Sequence, residues 1–170
     1  MNVVLGDLRT CLEGLAEQIV ERNPRRIYVD VPPEHSVAAN RVVFNALGGR
    51  LATATGVDFR DRIDVLYHYC IDAKGVVVTL RTWAWKPEVE LDSVASFLPG
   101  AQFIEREIQD LLGVKFRNHP DPRRLILADD WPEGVYPLRR ELPARVAGES
   151  IPAEMPAQEP ENTTEEAPRP

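Results

Sequence analysis

The stretch RIDVLYHYCIDAKGVVVTLRTWAW (residues 62–85) decides the fold, because it is typical of two β-strands joined by a tight turn. Both runs are rich in β-branched and aromatic residues, and DAKG between them supplies turn residues. Side chains alternate between the two faces of a strand. One face of the first strand then carries Ile63, Val65, Tyr67, Tyr69 and Ile71, and the other face carries Leu66, His68 and Cys70. The stretch predicts a β-hairpin that is covered, at least in part, on both faces.

Upstream of this hairpin the pattern predicts two more strands and two helices. LATATGVDF (51–59) and RRIYVDV (25–31) are strand-like, and the second ends at Pro32 and Pro33. EHSVAANRVVFNALGG (34–49) predicts a helix that stops at its two glycines. A further helix ending before Pro24 is predicted by apolar residues at alternating steps of three and four, namely Leu5, Leu8, Leu12, Leu15 and Ile19.

Downstream, LDSVASFLPG (91–100) predicts a short helix or turn, and AQFIEREIQDLLG (101–113) predicts an amphipathic helix that ends at Gly113. The resulting order of elements is α-β-α-β-β-β-α. Strands that are grouped together and flanked by helices predict the α+β fold class, with a mostly antiparallel sheet.

The chain is predicted to have three parts. Residues 1–116 form the α+β core domain. Prolines at 120, 122, 132 and 137 make residues 117–142 an extended arm, since each proline fixes φ and removes a backbone donor. Residues 143–170 are dominated by Pro, Glu and Ala without any aromatic residue, so a disordered, solubilising tail is predicted there.

Composition excludes several classes of function. A net charge of −7 and a pI near 5.0 oppose a broad nucleic-acid surface. No run reaches the roughly 20 apolar residues that a membrane-spanning helix needs. Only Cys11 and Cys70 are present, and we predict both in the core; alone they cannot hold an iron–sulfur cluster or a structural zinc in ordinary form. No glycine-rich phosphate loop is found.

The arm needs a covering surface for its apolar residues, which are Leu125, Ile126, Leu127, Trp131, Tyr136 and Leu138. That surface is either the chain's own domain or another protein. Trp, Tyr and Arg dominate interface energetics, and the arm is rich in them, which favours a partner. On the preceding helix, Arg106 and Asp110 are spaced to pair with each other, and its carboxylates could meet arm arginines in bidentate pairs.

Two alternatives of other classes stay open. Glu107, His119 and Asp121 could form part of a metal site of a free-standing metal-dependent enzyme, although two carboxylates and one imidazole at irregular spacing are weak evidence for such a site. A regulatory or assembly adaptor could use the same arm for transient binding.

The segment EREIQDLLGVKFRNHPDPRRLILADDWPEGVYPLRREL (105–142) resembles the signature of the 30-kDa subunit family of respiratory NADH:quinone oxidoreductase, also known as complex I. GVDFRDRIDVLYHY (56–69) is similar to the family's strand pair. The family pattern E-R-E, D, G, H-P-D, R-R and P-L-R falls on Glu105, Arg106, Glu107, Asp110, Gly113, His119, Pro120, Asp121, Arg123, Arg124, Pro137, Leu138 and Arg139. Asn118 and Pro122 depart from it, since Gly and Leu are common there. DDWPEGVYPLRR (129–140) looks more like the branch found in energy-converting membrane-bound hydrogenases.

The resemblance implies a non-catalytic, cofactor-free subunit of the hydrophilic arm of a membrane-associated redox complex, peripheral on the cytoplasmic side. Its partners would be the large NiFe-hydrogenase-like subunit and iron–sulfur subunits, which would hold the iron–sulfur clusters and a NiFe or quinone site. The 30-kDa subunit of NADH:quinone oxidoreductase itself is the alternative. The predicted partner interface comprises Glu105, Arg106, Glu107, Asp110, His119, Asp121, Arg123, Arg124, Trp131, Tyr136, Pro137, Leu138 and Arg139.

Overall fold

The computed structural model describes residues 3–140, and the predicted tail, 143–170, lies outside the described residues. The helices and strands, in chain order, are α1 (Val3–Cys11), β1 (Gln18–Asn23), β2 (Arg26–Asp30), α2 (Ser36–Asn45), β3 (Arg50–Asp58), β4 (Arg62–Ile71), β5 (Val76–Trp85), β6 (Glu90–Asp92), α3 (Ala101–Leu112) and β7 (Lys115–Arg117).

The main sheet has five strands in the order β1-β2-β5-β4-β3. Only the β2–β5 pair is parallel; the other three pairs are antiparallel, so the predicted fold class is confirmed. The central hairpin is also as predicted. Its ladder runs without a shift from Arg62 opposite Trp85 to Ile71 opposite Val76, and Gly75 closes the turn at a φ of 61°, in the left-handed region that favours glycine.

One face of the sheet carries the hydrophobic core. The five predicted inward residues of β4, from Ile63 to Ile71, are all buried. Helices α2 and α3 lie on this face, since the Tyr69 hydroxyl donates to Asn40 Oδ1 of α2 at 2.7 Å and the Tyr67 hydroxyl donates to Glu105 Oε1 of α3 at 2.9 Å. Helix α3 and β3 approach closely at a glycine: a Cβ on Gly56 would lie 2.2 Å from Leu112 Cδ1.

The opposite face of β4 is partly covered, as the alternation predicts. His68 is half-buried there and bridges two strands, because its ring nitrogens lie 3.2 Å from Thr55 Oγ1 and 3.0 Å from Thr79 Oγ1. Burial lowers the pKa of His68, and the nearby charge of Arg26 lowers it further.

The first predicted helix is wrong in its second half. Helix α1 ends at Cys11, and a turn with Gly14 at a φ of 76° leads into β1. Ile19 belongs to β1, where it pairs with Val29 of β2. The helical spacing of apolar residues continues beyond α1 in the sequence because α1 and β1 both pack their apolar residues against the same core.

Two very short strands are absent from the predicted order. Strands β6 and β7 form a separate parallel pair, with Leu91 opposite Phe116. LDSVASFLPG therefore begins in a strand and forms a turn only afterwards. The structure therefore contains three strands, β1, β6 and β7, that the predicted order lacks.

The two cysteines lie nearer the surface than predicted. Cys11 is exposed and Cys70 is half-buried, so placing Cys11 in the core was wrong.

Within residues 3–140, no helix is long and apolar enough to cross a membrane.

Candidate partner interface

Helix α3 is the platform on which the arm lies. Its four charged residues from the predicted interface point in different directions. Glu105 is completely buried against the sheet, Asp110 is 4% exposed beneath the arm, Arg106 is half-buried, and Glu107 is exposed. The helix ends at Gly113, as predicted, with a φ of 72°.

Asp110 fixes the middle of the arm through backbone atoms. Its Oδ2 accepts hydrogen bonds from the N–H groups of Leu125 and Ile126 at 2.7 Å each and from that of Leu127 at 3.3 Å. Hydrogen bonds to a carboxylate are shorter and stronger than neutral ones. One carboxylate oxygen therefore holds three successive residues of the arm on α3.

Arg106 holds the neighbouring part of the arm by donating to its backbone carbonyl groups, whereas Asp110 accepts from backbone N–H groups. Its Nε donates to the carbonyl oxygen of Arg123 at 2.7 Å, its Nη2 donates to that of Arg124 at 2.8 Å, and its Nη1 lies 3.3 Å from Asp121 Oδ2. The predicted pairing of Arg106 with Asp110 is wrong, because each engages the arm instead. Backbone groups of the arm, rather than its arginine side chains, meet these charged residues of α3.

Beneath the start of the arm, Glu105 is the centre of a buried hydrogen-bond network. Its Oε1 accepts from the Tyr67 hydroxyl at 2.9 Å and from the Val94 N–H at 3.0 Å, and its Oε2 accepts from the Ser93 hydroxyl at 2.5 Å. Burial raises the pKa of Glu105, and these three donors oppose the shift. Its side chain joins the sheet, the β6 loop and α3.

His119 fixes the turn that begins the arm. Its Nδ1 accepts from the Asp121 N–H at 3.0 Å, so the proton of the neutral ring lies on Nε2, which donates to the Gln102 carbonyl oxygen at 3.2 Å. Nε2 also lies 3.8 Å from Glu105 Oε2. Asn118 has a φ of 60°, which explains its place where the family often has Gly: asparagine tolerates the left-handed region better than other residues with a side chain.

Asp121, in the same turn, pairs with Arg123 of the arm. Arg123 donates to both of its carboxylate oxygens, at 2.7 and 2.8 Å. The hydrogen bond from the Arg123 side chain is the main cause that lowers the pKa of Asp121. This bidentate pair thus lies within the arm.

The end of the arm packs against the C-terminus of α3. The Tyr136 ring lies directly on Gly113, where a Cβ would come within 2.4 Å of ring carbons. The Arg139 guanidinium stacks 4.5 Å from the centroid of this ring and donates to the Leu112 carbonyl oxygen at 2.7 Å. The Leu138 N–H donates to the Leu111 carbonyl oxygen at 3.0 Å. The Leu138 side chain itself is 59% exposed.

Trp131 is turned towards its own arm. Its Nε1 donates to the Val135 carbonyl oxygen at 2.9 Å, and Arg124 donates to the Trp131 carbonyl oxygen at 2.9 Å. Trp131 and Tyr136 line a cleft of about 520 Å³ between the arm, the C-terminal end of α3 and β7. Trp131 therefore contributes to the shape of the arm.

The backbone of the arm lies on its own domain, but several apolar side chains point away from it. Ile126 is 53% exposed, Leu125 is 37% exposed, and Phe103 on α3 is 61% exposed. None of these three residues was among the predicted interface residues. The apolar character of Leu125 and Ile126 in an extended arm could have indicated that they belong to an interface. The interface role of the predicted residues stays a prediction; Glu105 lies wholly inside the fold.

The hypothetical metal site finds no support in this geometry. Glu107 is exposed on α3, whereas His119 and Asp121 are engaged in the turn described above. Across residues 3–140, no group of three or more His, Cys, Asp or Glu side chains is placed to hold a metal ion.

Comparisons with known proteins agree on one family. The model of the respiratory-chain NADH dehydrogenase 30 Kd subunit family matches residues 29–147. The chain is 30% identical to the C subunit of the F(420)H(2) dehydrogenase of Methanosarcina mazei, over 79% of this chain and 91% of that protein. It is 35% identical to the C subunit of the NADH-quinone oxidoreductase of Geobacter metallireducens, over 72% and 77% respectively. A 39% match to the C/D subunit of the NADH-quinone oxidoreductase of Phocaeicola vulgatus covers 68% of this chain but 21% of that longer relative.

Solved structures share the fold. A chain of the archaeal membrane-bound sulfane sulfur reductase complex superposes with a TM-score of 0.74 at 21% identity, covering 85% of this chain and 87% of that one. A trypsin-resistant fragment of Nqo5 superposes with a TM-score of 0.54 at 25% identity, covering 71% of this chain and 99% of the fragment.

Proposed function

Because the chain belongs to the respiratory-chain NADH dehydrogenase 30 Kd subunit family, we propose that it is a non-catalytic subunit of the hydrophilic arm of a membrane-associated, multi-subunit redox complex. In this proposal it docks on the large catalytic subunit with the outer surface of residues 117–140. It lies peripherally on the cytoplasmic side of the membrane, and iron–sulfur subunits are further partners.

The observation that carries this proposal is how the arm is held. Asp110 and Arg106 bind it through backbone N–H and carbonyl groups, so the arm is ordered without burying all of its side chains. Ile126 and Leu138 remain more than half exposed. A rigid segment that presents apolar side chains loses little conformational entropy on binding, which suits a permanent interface.

We place the redox cofactors in the partner subunits. The two cysteines of the chain lie on different elements, Cys11 at the end of α1 and Cys70 on β4, whereas iron–sulfur clusters are usually held by four thiolates. The proposed role of this chain is to position the subunits that hold iron–sulfur clusters and a NiFe or quinone site.

Two forms of the complex are candidates. The motif in residues 129–140 resembles the hydrogenase branch of the family. The names of two matched relatives favour a dehydrogenase complex, since the C subunit of an NADH-quinone oxidoreductase is matched over 77% of its length and the C subunit of an F(420)H(2) dehydrogenase over 91%. The metal content of the purified complex distinguishes the two.

The test is a mild-detergent purification of the tagged full-length chain from its native membranes, with mass spectrometry and assays of nickel, iron and zinc. Large and iron–sulfur subunits with nickel would identify a hydrogenase-like complex, and the same subunits without nickel a quinone-linked one. Ile126→Asp is expected to lose the partners, whereas Val3→Asp, at an apolar position on α1 that is 62% exposed, is expected to retain them. A lone chain with stoichiometric metal would contradict the proposal.

A further inference from the structure

We propose that the docking surface extends beyond the arm onto an aromatic patch formed by Phe59, Arg62 and Trp85, and that the partner subunit which covers the arm covers this patch too. This inference rests on the proposed function and adds a second contact region to it. The patch lies where β3 and β4 are joined and where β5 ends. Its expected counterpart on the partner is an apolar surface with carboxylates at the rim.

Exposure of large aromatic side chains is the first reason. Trp85 is 51% exposed and Phe59 is 40% exposed. Tryptophan and other aromatic residues are enriched in the cores of protein interfaces, where they contribute most of the binding energy. An exposed Trp beside an exposed Phe is therefore a candidate anchor for a partner.

The patch is also ordered before any partner binds. The Arg62 guanidinium lies 5.8 Å from the ring centroid of Phe59, 5.1 Å from that of Trp83 and 5.5 Å from that of Trp85. Its Nε lies 2.8 Å from Asp64 Oδ1, and the Asp64 side chain is 1% exposed. A neutralised arginine between fixed aromatic rings can be covered at low cost in desolvation and side-chain entropy.

Continuity with the arm is the third reason, and it determines which partner is expected. The last described residue, Arg140, donates its N–H to Asp58 Oδ2 at 2.9 Å. Lys86 Nζ lies 2.8 Å from Asp58 Oδ1 and donates to the Phe59 carbonyl oxygen at 2.8 Å. The described part of the arm therefore reaches the residue that precedes Phe59, only two residues after the exposed Leu138. A partner that covers Leu138 would reach the patch without a gap.

Charge defines the rim. Asp58 and Asp64, the two buried carboxylates here, are each paired with a cation of the same chain. The exposed arginines Arg60 and Arg140 flank Phe59 and the end of the arm, with Asp61 as the exposed carboxylate of the 58–62 turn. Carboxylates on the partner would meet these guanidinium groups in charge-assisted hydrogen bonds.

Hydroxyl-radical footprinting of the full chain, alone and within the purified complex, tests the proposal. Oxidation of Trp85 and Phe59 should fall about tenfold in the complex, together with that of Ile126 and Leu138 in the arm. Protection of the arm without protection of Trp85 would overturn this inference and leave the proposed function standing. If neither the arm nor Trp85 is protected in the complex, this inference and the proposed docking through the arm are both overturned.

A variant series gives an independent readout. Phe59→Ser combined with Trp85→Ser should reduce retention of the chain in the complex about tenfold or more, as the loss of interface anchors does. Val20→Ser, at a 39% exposed apolar position on the edge strand β1, is the matched control and should be retained like the wild type. Equal retention of the double variant would contradict the proposal, and if the double variant does not fold, the footprint of the wild-type chain decides.

Discussion

Asp110→Ala is expected to release the middle of the arm from α3 without unfolding the domain. The substitution removes one oxygen that accepts from three consecutive backbone N–H groups, those of Leu125, Ile126 and Leu127. Leu125 and Ile126 are partly exposed, so their N–H groups can bind water once the arm opens. The cost therefore falls on closure of the arm rather than on the core.

The magnitude follows from the two short bonds of 2.7 Å. A hydrogen bond to a charged group contributes roughly 1.5–3 kcal/mol net of competition with water. Two such bonds would give about 3–6 kcal/mol if additive; bonds that share one acceptor are not additive, so the lower end, about 3 kcal/mol, is expected. That corresponds to about a hundredfold increase in the equilibrium population of the opened arm.

Amide hydrogen exchange of the isolated chain measures this directly. Protection of residues 125–127 should fall about a hundredfold in Asp110→Ala, while the amides of β4 and β5 keep theirs. Glu107→Ala is the matched control, because Glu107 is an exposed carboxylate on the same helix. Unchanged protection of residues 125–127 would refute the reasoning that Asp110 fixes the arm.

Three further outcomes are expected. Glu105→Gln removes a buried carboxyl group whose pKa is raised. The free energy of unfolding of the wild type should therefore fall relative to that of this variant as the pH rises from about 4.5 through the raised pKa. Chemical denaturation at several pH values measures the difference, and a pH-independent difference would contradict this. Gly113→Ala should cost at least about 1 kcal/mol and expose the Tyr136 ring, as measured by thermal unfolding and tyrosine fluorescence, because the new Cβ needs a positive φ and meets that ring. Tyr69→Phe should cost about 1–3 kcal/mol in urea unfolding, since it leaves Asn40 Oδ1 buried without its donor; a neutral effect would show that water replaces it.

The long hairpin could be predicted from the sequence because both ten-residue strands are rich in β-branched and aromatic residues and DAKG supplies the turn between them. The start of the chain could not: Leu12, Leu15 and Ile19 continue a helical spacing, yet a strand begins at Gln18. Strands β6 and β7 have three residues each, too few for any period to show. Their pairing depends on the tertiary structure.

The contacts between α3 and the arm could not be predicted from the sequence. Arg106 and Asp110 have the spacing of an intrahelical pair, but both bind backbone atoms of the arm, and those atoms carry no sequence signal. Glu105 lies in the charged part of α3, but it faces the sheet. The aromatic patch could not be predicted because Trp85 ends a strand whose other residues have the pattern of a core.

Site-specific photo-crosslinking from residue 126 in the native complex tests the central claim most directly. A photoreactive residue in place of Ile126 is expected to crosslink to one partner, the large catalytic subunit, in high yield. The same probe in place of Thr53, an exposed position on β3, should give no such product. Capture of the large subunit from position 126 alone would confirm docking through the arm, whereas absence of a crosslink from position 126 in an intact complex would contradict it.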